Sequence, residues 1–216
     1  GATYQYSKTV GVKANIARGY RAPQAAELNS NGLHEGTFRY EVGNTALVPE
    51  TSLQADLGLL YESAHFSSEL SVFSNSIQHY IFLQKLIAMS GSDSLLDPSS
   101  LIGVYAFIQG NAWLRGAEYS FDLHPHPLDW LHFENSISYV RGTQQNAVIT
   151  GKNLPFIPPL TLNSEVRADF KKTGTHLFNT YIRFNARYYA AQNHVMLESH
   201  TETPTPAYLL LDAGAG

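Results

Sequence analysis

The residues best suited to chemistry in this chain form a run in which every second position can ligate a metal: His194, Met196, Glu198, His200 and Glu202. Extended backbone would align them along one side, because successive side chains of a strand point to opposite faces. Imidazole and carboxylate suit zinc or ferric ions, and the Met196 thioether adds affinity for haem iron or copper(I). The spacing follows no established metal motif, so an ordinary polar loop is the competing reading. A second set, His34, Glu35, Tyr40 and Arg187, offers charge and hydrogen bonds to a small molecule or metal chelate. His124 and His126 alternate with Pro125 and Pro127 in a stretch that reads as a stiff turn with solvated imidazoles. His34-Glu35 lacks a second histidine four residues on, and the sequence contains neither a G-x-S-x-G elbow nor a phosphate-cradling glycine loop. No catalytic residue and no cofactor are therefore expected.

Composition narrows what could position these groups. Only 15% of residues are charged, against about a quarter in ordinary soluble domains, while aromatics reach 12%. A net charge of -4 leaves no broad basic patch, so nucleic acid is not an expected partner. Cysteine is absent, which excludes a disulfide scaffold and a thiolate site. The longest apolar run, near Ile81 to Met89, is interrupted by Gln84 and Lys85 and is far shorter than the ~20 residues of a spanning helix. If the chain meets a membrane, it must cross it with strands.

Strand periodicity is what the sequence shows. From Leu160 to Phe170 one parity reads Leu160, Leu162, Ser164, Val166, Ala168, Phe170 and the other Thr161, Asn163, Glu165, Arg167, Asp169. One side is greasy and the other ionic, as expected where one face meets oil and the other a wet lumen. The same alternation recurs at 176–188, 53–62 and 130–140. Eight strands are predicted, near 8–18, 52–62, 66–80, 105–122, 129–141, 159–170, 175–188 and 206–216, with a bulge at Arg115-Gly116 where parity shifts. Each is about as long as the ~10 residues a tilted strand needs to cross a bilayer. Tyr61, Phe66, Trp130, Tyr139, Phe170 and Tyr188-Tyr189 lie near strand ends and read as interfacial girdles.

The connections alternate in length. Short ones at 63–64, 123–128 and 171–174 separate long ones at 19–51, 81–104, 142–158 and 189–205, the pattern of an outer-membrane barrel with short periplasmic turns and long outer loops. The fold class expected is all-β, an antiparallel transmembrane β-barrel segment with the candidate ligand groups on the outer loops.

Several stretches carry a resemblance. They are Asn15 to Pro23 (Asn-Ile-Ala-Arg-Gly-Tyr-Arg-Ala-Pro), Glu27-Leu28, Gly36 to Asn44, Leu47 to Glu50, Asn111 to Glu118, Thr203 to Tyr208 and Leu211 to Gly214. Together the chain resembles the barrel of a TonB-dependent outer-membrane receptor, along nearly its whole length. The resemblance implies a larger, 22-strand barrel closed by an N-terminal plug. It implies import of a scarce nutrient (iron-siderophore, haem or zinc, with a lean toward zinc or haem), outer-membrane lipid as surroundings, and the TonB complex as a partner through an N-terminal region. Neither plug, energy-coupling segment nor terminal aromatic strand is found, and Gly214-Ala215-Gly216 falls within a strand, so a partial barrel domain over 1–216 is expected. A local reading also exists for Arg21, Glu27, Arg39, Glu41 and Glu50, as a salt-bridged, solvated loop base, with direct ligand contact as the alternative. A passive porin or OmpA-like barrel and a soluble carbohydrate-binding sandwich are the alternatives.

Overall fold

The computed structural model describes residues 1–88, 94, 101–145, 151–173, 176–197 and 202–216. In chain order come β1 (Ala2–Gln5), β2 (Val10–Arg21), a short helix α1 (Ala25–Asn29), β3 (Asn31–His34) and β4 (Arg39–Val42). Long strands follow: β5 (Glu50–Glu62), β6 (Phe66–Lys85), β7 (Val104–Leu123), β8 (Leu131–Gln144), β9 (Thr161–Thr173), β10 (Leu177–Tyr189) and β11 (Tyr208–Ala215). One sheet contains them, in the order β1-β2-β5-β6-β7-β8-β9-β10-β11, and β3 and β4 attach to it through β7. Along that order every neighbouring pair is antiparallel. Among the described residues the two ends of this order do not pair, and no second sheet covers either face.

Which way the side chains point settles what surrounds the sheet. Cross-strand partners share a face, so the register traces two surfaces. Leu57 pairs with Val72, Val72 with Ala117 and Ala117 with Tyr139, and this apolar set continues through Leu162, Val166 and Phe184. These side chains are open rather than packed: Ile16 is 74% exposed, Leu57 52%, Phe184 63% and Leu211 73%. A water-soluble sandwich would bury such a face, since each large apolar side chain left in water forgoes about 1.5–3 kcal/mol. Lipid is the medium in which the arrangement is stable. No described helix is long and apolar enough to cross a membrane, so the crossing elements are the strands.

The opposite, lumenal face is polar and internally bonded. Lys13 pairs with Glu69 at 3.5 Å and Asn15 donates to Asp56 at 3.1 Å. Further round, Arg183 lies 3.2 Å from Glu165 and Asn185 donates to Asn163 at 2.9 Å. Aromatic rings band the lipid face near the short turns: Tyr61 contacts Phe66 at 5.9 Å, Phe66 contacts Phe121 at 6.0 Å, Phe121 contacts Phe133 at 6.0 Å, and Trp130 stacks on Phe170 at 5.7 Å. That is the interfacial girdle expected at one edge of the bilayer.

Three features differ from the sequence expectation. Among the described residues eleven strands replace eight, because β1 hairpins onto β2 and because β3 and β4 occupy part of the connection read as loop. Strand β6 continues to Lys85 rather than ending at 80, so β6 and β7 run well beyond the ~10 residues that span a bilayer. The bulge is not at Arg115-Gly116, where Ser74↔Arg115 and Phe73↔Gly116 pair in unbroken register. It lies on β6 between Ile77 and Tyr80, with His79 at φ 58 and its amide donating to Asn111 Oδ1 at 3.3 Å. Gly116 serves a different need: a Cβ there would meet the Phe73 ring and the Tyr139 carbonyl.

Candidate functional site

Short turns at 6–9, 63–65 and 124–130 gather at one end of the sheet, and the long connections 22–49, 86–103, 145–160 and 190–207 at the other. Described parts of three of these long connections form two folded pieces. The first is organised by Arg21 at the last position of β2. Its Nε and Nη2 donate to Glu50 at 2.9 and 2.6 Å, and its Nη1 donates to both oxygens of Glu27 at 3.0 Å. Glu27 also accepts the Gln24 amide at 2.7 Å as the return half of the α1 capping box, so one carboxylate fixes both the helix start and its attachment to β2.

The end of α1 is gripped as tightly. The Gly43 amide donates to Ser30 O at 2.6 Å and the Asn44 amide to Glu27 O at 2.9 Å. A side chain at 43 is excluded, because its Cβ would lie 2.6 Å from backbone atoms of Leu28, Asn29 and Ser30. β4 then adds in parallel to the outer end of β7, through Tyr40↔Val104, Glu41↔Tyr105 and Val42↔Ala106. Arg39 donates to Glu41 at 2.6 Å and its guanidinium lies 5.8 Å from the centre of the Tyr105 ring. The ion pairs expected for Arg21, Glu27, Arg39, Glu41 and Glu50 are therefore present, but their carboxylates are largely buried rather than solvated. Gln109 of β7 completes it, accepting the Val48 amide at 2.9 Å while donating to Val48 O and His79 O.

The second folded piece joins the connections 145–160 and 190–207. Leu154, Val195 and Met196 are buried between them, and Glu202 accepts the Met196 amide at 2.7 Å and the Phe156 amide at 3.1 Å. Asn153 donates to Val195 O at 2.9 Å while accepting from Arg141 at 3.0 Å, and Gln192 donates to Ile157 O at 2.5 Å.

The candidate residues fall on these pieces unevenly. His34 ends β3 with its Nδ1 3.1 Å from the Thr37 hydroxyl, Glu35 is exposed in the hairpin turn, and Tyr40 on β4 donates to Asn31 Oδ1 at 2.9 Å. Arg187 lies on the lumenal face of β10, paired in register with Asn163 of β9. Since β7, β8, β9 and β10 are successive strands, the hairpin set and Arg187 sit on separate parts of the mouth. For the alternating run, the single shared side is not formed by its described members. Residues 193–196 are not a strand, His194 is exposed, Met196 is 0% exposed, and Glu202 is engaged by two backbone amides. Glu198 and His200 lie outside the described residues. Sequence reasoning missed Asn31, Gln109 and Asn153, whose roles depend on contacts between distant segments; the polar residues amid β-formers were their only trace.

This geometry is a concave, polar, strand-built wall capped at one end by ordered loops, suited to holding a hydrophilic solute by hydrogen bonds and charge. Comparison with known proteins agrees. Residues 1–216 match the family model described as TonB dependent receptor-like, beta-barrel. The ferric enterobactin receptor of Pseudomonas aeruginosa is 28% identical over 179 residues, covering 75% of this chain and 22% of that protein. Among solved structures, the copper transporter OprC superposes with a TM-score of 0.74 at 16% identity over 99% of this chain and 30% of its own. The siderophore receptor PirA of Pseudomonas aeruginosa gives 0.63 at 18% identity over 99% and 31%. The chain thus spans less than a third of the length of these proteins. It belongs to the TonB-dependent receptor β-barrel family of the bacterial outer membrane.

Proposed function

We propose that the protein carrying this barrel segment imports a ferric siderophore, drawing energy from the TonB complex of the inner membrane through a region outside this chain. The carrying observation is that the ordered loops and the polar lumenal face converge at the outer mouth, while the opposite face is left to lipid. A hydrophilic chelate needs such a surface, because desolvating its polar groups without replacement hydrogen bonds would cost several kcal/mol. The ferric enterobactin receptor and the siderophore receptor among its relatives support this cargo class over haem or free zinc. No covalent step is required: capture at the loops is followed by passage through the lumen. His34, Glu35, Tyr40, Arg187 and His194 are the proposed contacts, Arg187 as the cation facing the lumen and the others as donors and acceptors on the loops. The thioether of Met196 is enclosed and takes no part.

The test is uptake of radiolabelled iron by a strain relying on the full-length receptor, supplied with one siderophore class at a time. Uptake of one class that stops when the inner-membrane energy complex is deleted supports the reading. Energy-independent entry of unrelated small solutes would point instead to a passive pore, and uptake of haem or zinc alone would replace the cargo.

A further inference from the structure

Far from the loops, at the periplasmic end, the fold brings together residues that are scattered in the sequence. Asp122 is the penultimate residue of β7, His124 begins the turn after it, and His132 is the second residue of β8. Asp122 Oδ2 lies 3.2 Å from His132 Nδ1 and 3.5 Å from His124 Nδ1, and the three side chains are only 25–28% exposed. One ligand atom from each residue can be chosen so that all lie within 4.8 Å of one another. Asp122 also shares the lumenal register with Ser67 of β6 and Glu134 of β8, so the cluster sits on the inner rim rather than against lipid.

The hydrogen bonding of His124 fixes what its ring can do. Its Nε2 lies 2.9 Å from the Ala64 carbonyl oxygen in the neighbouring turn. A carbonyl can only accept, so Nε2 carries the proton, and in the neutral ring Nδ1 presents a lone pair. That lone pair faces the Asp122 carboxylate, another acceptor. His124 Nδ1 and Asp122 Oδ1 are both buried atoms without a hydrogen-bond partner. Two acceptors turned toward each other repel unless a proton or a metal cation stands between them. A metal-bound histidine whose other nitrogen donates to a backbone carbonyl has this same arrangement, because that outer bond sets the tautomer and aims the ligating nitrogen. Zinc–ligand bonds of about 2.0–2.1 Å in a tetrahedron place ligand atoms about 3.3 Å apart, close to the separations seen here.

A second, more open group adjoins the first. One Asp129 oxygen lies 3.3 Å from His65 Nδ1, which has no hydrogen-bond partner, and the other is hydrogen-bonded with His126 Nδ1 at 3.2 Å. The rings of His132, His124, His65 and His126 follow one another with centroid separations of 5.2, 5.7 and 5.5 Å.

We propose that the periplasmic rim carries a site for a borderline divalent transition metal, with zinc as the reference ion, ligated by Asp122, His124 and His132. Imidazole and carboxylate without sulfur select zinc, nickel or copper(II) over copper(I), and over calcium or magnesium, which require oxygen cages. The bound ion ties β7, β8 and their turn together, and through the Ala64 carbonyl it also braces the turn between β5 and β6. His65, His126 and Asp129 form a weaker, solvent-facing neighbour site. This site is independent of the cargo proposed above and lies at the other end of the barrel.

The test uses the full-length receptor in detergent, stripped of metal and titrated with cobalt(II) chloride, whose visible bands report nitrogen and oxygen ligation, followed by displacement with zinc chloride. The expected result is a cobalt-binding event removed by zinc. His124→Ala and His132→Ala should each weaken it about a hundredfold or more, since loss of even an outer-shell partner weakens metal sites 10–100-fold. His65→Ala should weaken it far less, and His176→Ala, in a different short turn, should leave it unchanged. His132→Gln and Asp122→Asn keep the size of each side chain and serve if an alanine variant fails the heat-modifiability test for a folded barrel. Cobalt and zinc binding unaltered in the folded His124→Ala/His132→Ala double variant would overturn the assignment, and so would absence of micromolar binding in the unaltered receptor.

Discussion

Arg21 and Glu50 face each other across the β2–β5 ladder in a two-pronged ion pair, and the Glu50 oxygen that takes Arg21 Nη2 at 2.6 Å also accepts the Ile81 amide at 2.7 Å. Because Arg21 also holds Glu27, this one carboxylate links β2, β5, β6 and the capped helix α1. Exposed ion pairs contribute little, but Glu27 and Glu50 are only 13% and 12% exposed, and the planar guanidinium meets Glu50 with two parallel bonds. The loop base is therefore a part-buried joint, its carboxylates enclosed and the Arg21 side chain 36% exposed.

Replacing Glu50 with Ala should release that joint. The Arg21 cation loses its bidentate partner and the Ile81 amide its acceptor, at a cost of about 2 kcal/mol for hydrogen bonds to charged groups. The loss is local, so amide exchange over 22–49 and 80–82 should quicken roughly 30-fold at about 1.4 kcal/mol per decade, while mid-strand β5 and β6 stay protected. Exchange rates unchanged in the outer loop would show that the joint carries no stability.

Gly43→Ala tests the contact between α1 and β4. Its Cβ would lie 2.6 Å from three backbone atoms, none of which can swing aside as a flexible side chain would. Overpacking of this kind costs about 1–3 kcal/mol. The expected outcome is a folded, heat-modifiable barrel whose outer loop is cut faster by added protease; an equal cutting rate would mean that the helix end yields without loss.

How much of this was legible follows from which solvents touch which residues. Along 160–170 oil and water meet alternate side chains, so Leu162 and Val166 against Glu165 and Arg167 could be read directly, and the lipid face, strand order and loop asymmetry came with them. The β3–β4 hairpin could not be read so, because four residues per strand carry little periodicity and β4 depends on Val104 to Ala106 of a distant strand. Arg115 misled: it stands on the greasy parity and suggested a bulge, whereas the real register shift, at Ile77 to Tyr80, leaves only His79 in a left-handed conformation. Met196 was read as a ligand by its sulfur and its parity with His194, whereas its burial depends on how two loops pack. Likewise His124 and His126 looked like a stiff turn, since nothing in the spacing brings Asp122, His132 and His65 beside them.

Opposite faces of the same stretch should respond oppositely to charge. Leu57 on β5 faces lipid near the middle of the span, whereas Ser71 on β6 faces the lumen opposite Gly58. Leu57→Arg should destabilise the full-length receptor by about 2–4 kcal/mol, the cost of an arginine near the bilayer midplane. Ser71→Arg should cost little, with water and the acidic Glu69 and Glu118 within the same polar surface. Urea unfolding from lipid vesicles measures both, and equal destabilisation would contradict the assigned faces.

The girdle at the short-turn end yields a prediction about depth. Trp130 precedes β8, is 43% exposed and stacks on Phe170 at 5.7 Å, on the side where Phe133 and Phe121 also point to lipid. An indole at that level places its apolar body against acyl chains and its N–H toward headgroups and water. In reconstituted full-length receptor, the emission lost on Trp130→Phe substitution isolates this one ring from every other tryptophan. That component should be quenched most by lipids brominated close to the headgroup and least by lipids brominated near the chain ends. Insensitivity to both kinds of lipid would mean that the ring faces water or protein, and the bilayer edge would then have to be drawn elsewhere on β8 and β9. Phenylalanine keeps the stacking partner for Phe170 and loses only the polar edge, so the variant should fold normally, and the depth reading would not be confounded by a damaged barrel.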